Sequence, residues 1–367
     1  MGFESGTIGF RLFWLPRSLP DDAAELFAEH AAPPLSTIGE EPVHGWVTGR
    51  HMLDRHITQE TAFRGQYLYL AMQEAERKIP SSLLRAECKM EELALMAAEE
   101  KPFVSRQERA EIKKTVTERL LPQMPPQIKG TPLVYAPGST YLYATALPAK
   151  QCDLFTALIQ QTLGFAILPC TPELAALQRT NTDVNQWNPI SFSPDVPRDL
   201  MEVMPGRDFL TWLLFHSEAG GGSFSGHESG DIHVLLEGPL LFTHEGGGAY
   251  EIVLRKGEPL LSNEAKTCLL SGKKLRQARV TFAIGEEIWS FNLDADELIF
   301  RNLSLPKIDE VLDASSHFEE RVRRLERFLE IFFLVFDHFT EVRSSKAQWN
   351  TMQKDIFQWV RNRIGKI

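Results

Sequence analysis

Four basic side chains, Arg106, Arg109, Lys113 and Lys114, lie close together in a segment that reads as a helix, where cations so spaced could hold a row of phosphates. Arg106, Arg109 and Lys113 step by three and then four residues, which sets them on one helix face, with Lys114 beside them. A second group, Arg255, Lys256, Lys273, Lys274 and Arg276, follows far along the chain. A charged helix face is most often a solvated surface, and Glu108, Glu111 and Glu118 intersperse this one. The distribution of charge argues for more. The chain carries 39 Lys plus Arg against 49 Asp plus Glu, a formal net charge of −10. Yet residues 101–130 hold seven basic and three acidic residues, and residues 255–279 hold seven and two. An acidic chain with two such segments can engage a polyanion if both line one surface, because binding follows the local field.

Other chemistry finds less support. Metal-dependent cleavage needs several carboxylates converging on Mg²⁺. Asp294-Ala295-Asp296-Glu297 is the most acidic short motif, but it falls between two expected strands, where turn chemistry accounts for it. Glu87-Cys88-Lys89 resembles the end of a nuclease signature but lies inside an expected helix. His51 and His56 are five apart, and neither they nor Asp231-Ile232-His233 have helical i,i+4 spacing or a third ligand nearby. Ser271-Gly272-Lys273-Lys274 has the Gly-Lys pair of a phosphate loop, without the earlier Gly, the following Ser or Thr, or a helix behind it. Gly246-Gly247-Gly248 reads as a hairpin turn, and no nucleophile elbow surrounds Ser225 or Gly257. No catalytic residue, metal or cofactor is expected.

The scaffold around the basic groups reads as α+β. Strands are expected at Thr7–Leu15, near Trp46, and at Gln66–Met72, with a helix capped by Asp21 or Asp22 after the first. Pro80-Ser81-Ser82 reads as a helix start, a Ser oxygen accepting from a first-turn amide, with Leu83, Leu84, Met90, Leu93 and Met96 at helical spacing. Ser105 with Glu108 three residues on is a capping box, and Pro122 closes the helix over 105–121. Strands at Leu133–Ala136 and Tyr141–Ala146 flank the Pro137-Gly138 turn, and a helix over Lys150–Leu163 leads to a strand at Phe165–Leu168. Thr180–Pro205 reads as a long connection, Asp208–His216 as a short helix, and the glycines from Gly220 to Gly230 as a flexible loop. Strands at Ile232–Leu236, Leu240–Thr243, Tyr250–Leu254, Arg279–Ile284, Ile288–Leu293 and Leu298–Leu303 make a small antiparallel sheet, with a helix at Ser262–Leu270.

The tail is different in kind. Leu312, Phe318, Val322, Leu325, Phe328, Leu329, Phe332, Phe333 and Phe336 form a wide apolar stripe, and Ala347–Ile364 carries Trp349, Met352, Ile356, Trp359 and Val360. The expected outcome is a helical hairpin packed on the core or across a dimer seam; a docking helix for another protein, or an extra DNA contact, is the alternative. The organisation expected is thus residues 1–179 as an α+β region, 180–230 as connection, 231–306 as a smaller antiparallel region and 307–367 as the helical hairpin. At 367 residues and 43% hydrophobic, the chain can bury a full core. No window reaches the ~18 apolar residues of a spanning helix. The N-terminal MGFESGTIGF lacks the basic start of a secretory signal, and Cys88, Cys152, Cys170 and Cys268 form no CxxC pair, so a cytoplasmic, reducing location is expected.

The segment from Lys78 to Pro122, a strand exit, a Glu-rich helix, a basic helix and a closing Leu-Leu-Pro, resembles the recombination-associated RdgC family. Gly45-Trp46-Val47, the Gly138–Tyr143 hairpin, the run Ala149–Pro169, Ser271-Gly272-Lys273-Lys274 and Trp289-Ser290-Phe291 follow in the family's order, so the likeness covers roughly residues 7–306. The resemblance implies a nucleoid-associated homodimer that closes into a ring, holds double-stranded DNA by its phosphate backbone with little sequence preference, and restrains the RecA recombinase. It carries Arg106, Arg109 and Lys113 onto the family's basic helix and places Arg255 and Lys256 near a second basic pair. Gln123, Met124 and Pro125 stand where the family often has Arg-Ala-Phe, whose aromatic serves the dimer contact. A metal-dependent exonuclease and a protein adaptor acting through the tail are the competing readings.

Overall fold

Successive side chains of a strand point to opposite faces, so a near-continuous apolar run such as Tyr67–Met72 dictates the architecture by giving the sheet two apolar faces to cover. The computed structural model describes residues 2–193, 196, 197, 199, 201–225, 230–244, 250–255, 263–308 and 313–362. The first half of the chain runs β1 Ile8–Trp14, α1 Ala23–Glu29, β2 Val43–Thr48, α2 Gln59–Ala62, β3 Phe63–Arg64, β4 Tyr67–Arg77, α3 Ser81–Ala98, α4 Arg106–Leu120, β5 Pro126–Tyr135, β6 Tyr141–Ala144, α5 Ala149–Leu163, β7 Leu168–Pro169 and α6 Pro172–Thr180. The second half runs α7 Pro205–Glu218, β8 Ser223–Phe224, β9 Ile232–His244, β10 Glu251–Leu254, α8 Asn263–Leu270, β11 Lys273–Ile284, β12 Glu287–Asp294, β13 Ile299–Ser304, α9 Ala314–Ser344 and α10 Lys346–Arg361. The fold is mixed α+β around one large antiparallel sheet, ordered β10-β9-β11-β12-β13-β1-β6-β5-β4-β2.

The first strand joins the two halves of that sheet. Ile8 and Phe10 of β1 pair with Leu303 and Phe300 of β13, whereas Arg11–Trp14 pair with β6 in register from Arg11↔Ala144 to Trp14↔Tyr141. Alternation then sorts the side chains of the β6-β5-β4 half. Leu68, Leu70, Met72, Leu133, Tyr135 and Leu142 face a core under α1 and α5, while Tyr67, Tyr69, Val134 and Tyr143 face the larger core. The spine of the larger core is α9. Its N-terminal Phe318 ring lies tilted against Tyr69 at 4.7 Å, and Phe332 lies 4.9 Å from Phe300 and 5.9 Å from Phe209 of α7. The apolar stripe read in the tail is therefore packed on the core, and the share of core it supplies is large. Replacing Phe328, which meets Phe10, Phe291 and Phe300, by Ala would cost about 3–5 kcal/mol through the cavity left behind.

Several expected boundaries shift for physical reasons. β5 begins at Pro126 because its outer half pairs with β4 beyond the cores, where no apolar alternation marks it. The expected strand at Phe165–Leu168 reduces to two residues beside β1, and α6, with Thr171 as its cap and Pro172 at its first turn, was not expected. The two strands expected either side of Gly238-Pro239 are one strand, β9. β11 starts at Lys273, so the lysine pair lies inside the strand. At the helix starts, Pro80 caps α3 and Asp22 caps α1 without a side-chain hydrogen bond, so the expected Ser and Asp caps do not form. The Gly246-Gly247-Gly248 turn, Lys256, Gly257, Ser262, Leu312 and Ile364 lie outside the described residues. Among those described, no helix is long and apolar enough to cross a membrane.

Candidate nucleic-acid interface

The basic helix stands on an arm. β4 and β5 stay in register from Leu68↔Tyr135 out to Arg77↔Pro126, and the strands leave the cores after Ala75. At the base of the arm the Arg77 guanidinium donates to the Ile38 carbonyl at 2.8 Å and to the carbonyl of Met124, tying both sides of the α3–α4 excursion to the β2 region. The excursion itself touches little else: α3 buries none of its residues, and Met90, Leu93 and the loop residue Phe103 are 62%, 53% and 67% exposed.

Local chemistry builds α4 as its sequence requires. The Ser105 hydroxyl accepts from the Glu108 amide at 3.3 Å, and the Glu108 carboxylate accepts from the Ser105 amide at 2.8 Å. Lys101 also donates to Glu108 at 2.8 Å, and this bond, with the capping bonds behind it, holds the carboxyl down at about 2. Val116 and Leu120 are the buried residues of α4. Arg119 donates to Glu91 at 2.7 Å and Glu87 at 2.9 Å, so the acidic positions of α3 spend part of the basic charge of α4.

What remains exposed is narrower than the sequence count. Arg106 and Lys113 are exposed and form no ion pair among the described residues. Arg109 reaches Glu92 at 3.7 Å with its side chain still 58% exposed. These three line one flank. Lys114 sits ~100° further round the helix and lies 4.0 Å from Glu118, so it extends the basic surface sideways.

The second segment divides more sharply. Arg255 is exposed at the end of β10, and Lys256 lies outside the described residues. Lys273 is half-buried and donates to the Ser271 hydroxyl at 2.9 Å. Lys274 is fully buried: its ammonium lies 3.0 Å from Asp208 of α7, whose other oxygen lies 3.5 Å from Arg343 of α9. It cannot meet a phosphate, which corrects its assignment to the DNA surface. The alternation of Ala278, Val280, Phe282 and Ile284 does not carry back to Lys274, because the register of β11 shifts between Leu275 and Arg279 and both Lys274 and Leu275 are buried. Lys266 is buried likewise, over the Trp359 ring and 3.9 Å from Glu218. Arg276 is committed to carboxylates, at 3.6 Å from Glu251, 3.6 Å from Asp294 and 3.1 Å from Asp296.

That commitment belongs to a wider network at the β12–β13 turn, where a face of the β9–β13 half meets the start of α7. Arg207 holds Asp296 at 2.7 Å, Arg301 lies 3.6 Å from Asp294, and Arg11 pairs with Glu297. The acidic turn between β12 and β13 is thus occupied by four guanidiniums. A metal ion would have to displace them, and no cluster of three or more metal-ligating side chains occurs among the described residues. Beside this network Arg279, exposed on the same face, donates to Ser290 at 2.9 Å and lies 3.6 Å from Glu237. Arg279 and Arg301 are surface cations that the sequence reading did not select. The strand order separates the two basic regions: β11 and the arm-bearing β4 are six strand steps apart, about 29 Å along the sheet. They flank a long surface and do not merge into one patch on one element.

Residues 12–187, from β1 through α6 and including the arm, match the family model described as "Putative exonuclease, RdgC". Proteins named recombination-associated protein RdgC from Pseudomonas aeruginosa and Pseudomonas paraeruginosa are each 23% identical to the chain over 284 residues, 77% of this chain and 76% of the relative.

Proposed function

We propose that this chain, whose residues 12–187 match the RdgC family model, acts in DNA recombination as a sequence-nonspecific double-stranded DNA-binding protein that works by phosphate capture. The observation that carries the reading is the exposed flank of Arg106, Arg109 and Lys113 on an arm held clear of both cores. Lys114, Arg255 and Lys273 add surface cations, and Lys256 joins Arg255 in sequence. Arg276 acts by neutralising the acidic turn beneath, which keeps Asp294 and Asp296 from repelling the duplex. Contacts of this kind fix position on DNA without reading bases.

Two basic regions at either end of one sheet suit a second copy completing the surface. The exposed Met90, Leu93 and Phe103 supply apolar contact on the arm, where Gln123, Met124 and Pro125 offer no aromatic. A homodimer closed in this way encircles the duplex, restrains RecA-type strand exchange by occupying it, and associates with the nucleoid. The guanidiniums on Asp294, Asp296 and Glu297 favour binding over metal-dependent cleavage. The test is titration of several unrelated labelled duplexes by anisotropy with Mg²⁺ present, followed by a gel. Equal affinities with intact DNA are expected; sequence-selective binding, or shortened DNA, would contradict the proposal.

A further inference from the structure

The last two helices meet at a single residue. α9 ends at Ser344 and α10 begins at Lys346, and Ser345, with ψ at 106°, turns one into the other while its hydroxyl caps the second helix. Buried Arg343 pins this corner, its guanidinium 4.5 Å from the Trp349 ring and 4.8 Å from Trp187. At the corner lies a groove of about 570 Å³, within the size range of small-ligand sites, and among the described residues its walls come from α9 and α10 alone. Val342, Ala347 and Met352 supply apolar surface, and Thr351 donates its hydroxyl to the Ala347 carbonyl at 3.3 Å. His338 and Gln348 complete the walls together with two carboxylates, Glu341 from α9 and Asp355 from α10.

Those two carboxylates are the unusual feature. α9 carries six acids, and the five from Glu319 to Asp337 each hold a guanidinium or, for Glu326, the Tyr67 hydroxyl. Glu341 is the sixth and Asp355 is the one acid of α10; both are exposed, and neither has an ion pair or side-chain hydrogen bond among the described residues. No Lys or Arg is among the described lining residues either. The groove therefore combines apolar surface with uncompensated negative charge contributed by both helices. We propose that it binds a linear aliphatic polyamine, with ammonium groups on Glu341 and Asp355 and the methylene chain along Val342, Ala347 and Met352. An ammonium donates to carboxylates and to the Gln348 side-chain carbonyl, while methylenes cover apolar surface as the stems of long basic side chains do. One ammonium on one exposed carboxylate gains little, so the ligand needs charge at more than one point of its chain. A bare divalent cation is the poorer occupant, because no cluster of three metal-ligating side chains occurs among the described residues. The groove belongs to the tail helices and its occupation is read without DNA, so it stands or falls apart from the DNA-binding reading.

Spermidine is the probe. It is compared with Mg²⁺, which carries charge without a chain, and with Nα-acetyl-lysine methylamide, which stands for a lysine on a partner protein. Each is titrated at low salt into the full chain, with methionine methyls isotope-labelled for NMR and the Met352 signal assigned by its loss in Met352→Leu. Saturable movement of the Met352 signal by spermidine is expected, with Mg²⁺ and the lysine derivative about ten-fold weaker or worse. Glu341→Gln combined with Asp355→Asn, two exposed changes that keep side-chain size, should weaken spermidine about ten-fold and leave the melting temperature unchanged. No saturable movement, equal or tighter binding of either comparison probe, or undiminished spermidine binding by the folded double variant would overturn the proposal. Should the double variant fail to fold, the order of the three probes on the unaltered chain decides the matter.

Discussion

Replacing Arg106, Arg109 and Lys113 together by Ala tests the phosphate-capture mechanism at its strongest point. Each cation that neutralises a phosphate releases counterions, so log affinity falls against log salt with a slope of about −0.9 per contact. If Arg106, Arg109, Lys113, Lys114, Arg255 and Lys273 all reach phosphates, the slope is about −5 per protomer. The triple variant should reduce its magnitude to about 3, and at ~0.1 M salt the three lost contacts weaken binding by about 500-fold relative to their vanishing near ~1 M. The loss should be uniform across sequences, because phosphates carry no sequence information. Folding should survive. The three side chains are exposed, and the one ion pair removed, Arg109 with Glu92 at 3.7 Å, is a surface contact worth about 0–1 kcal/mol. Anisotropy titrations at four or more salt concentrations, with thermal melts as control, read all of this out. An unchanged slope in a folded variant would refute the reasoning, and so would a loss confined to some sequences.

Lys274→Ala should behave in the opposite way: it leaves Asp208 buried beside Arg343 alone, so urea unfolding should show a loss of about 3–5 kcal/mol, while the salt slope of the folded fraction stays unchanged. Charge on the arm should break the proposed dimer. With Met90→Glu and Leu93→Glu combined, sedimentation should report a monomer that melts like the unaltered chain, since both side chains are largely exposed in the single copy. His216 should make stability pH-dependent. The unfolded imidazole takes up a proton near 6.5 and the buried one only near 4, so its contribution is fully present above about pH 6.5. As pH falls towards 4 about 3 kcal/mol is lost, and His216→Phe should lose that much less over the same window in denaturant titrations.

Local signals in this sequence were legible and long-range ones were not. The Ser105–Glu108 capping box fixed the start of α4, and the spacing of Arg106, Arg109 and Lys113 fixed its basic flank, because both depend on residues three or four apart. The same arithmetic failed where tertiary packing decides. Lys266 and Lys274 raise the formal charge of residues 255–279, yet both lie inside, one against Glu218 and the other against Asp208, acids far away in sequence. The acidic turn read correctly as a turn, but the four arginines that neutralise it come from β1, α7, β11 and β13 and share no sequence pattern. The outer half of β5 was silent because exposed strands need no apolar alternation. α6 could have been found: Thr171 followed by Pro172 and Glu173 is a helix start, and it fell where a strand was expected to end. The wide stripe of α9 predicted burial, and only the fold reveals that both halves of the sheet meet on it.

The most direct measurement places a photo-crosslinking residue at Ala110, on the exposed surface of α4 between Arg109 and Lys113, in the otherwise unaltered chain bound to a random-sequence duplex. Efficient crosslinks to DNA that disappear as salt is raised are predicted. Tight duplex binding with no crosslink from that position would contradict the account, because the duplex would then lie somewhere other than along the basic helix.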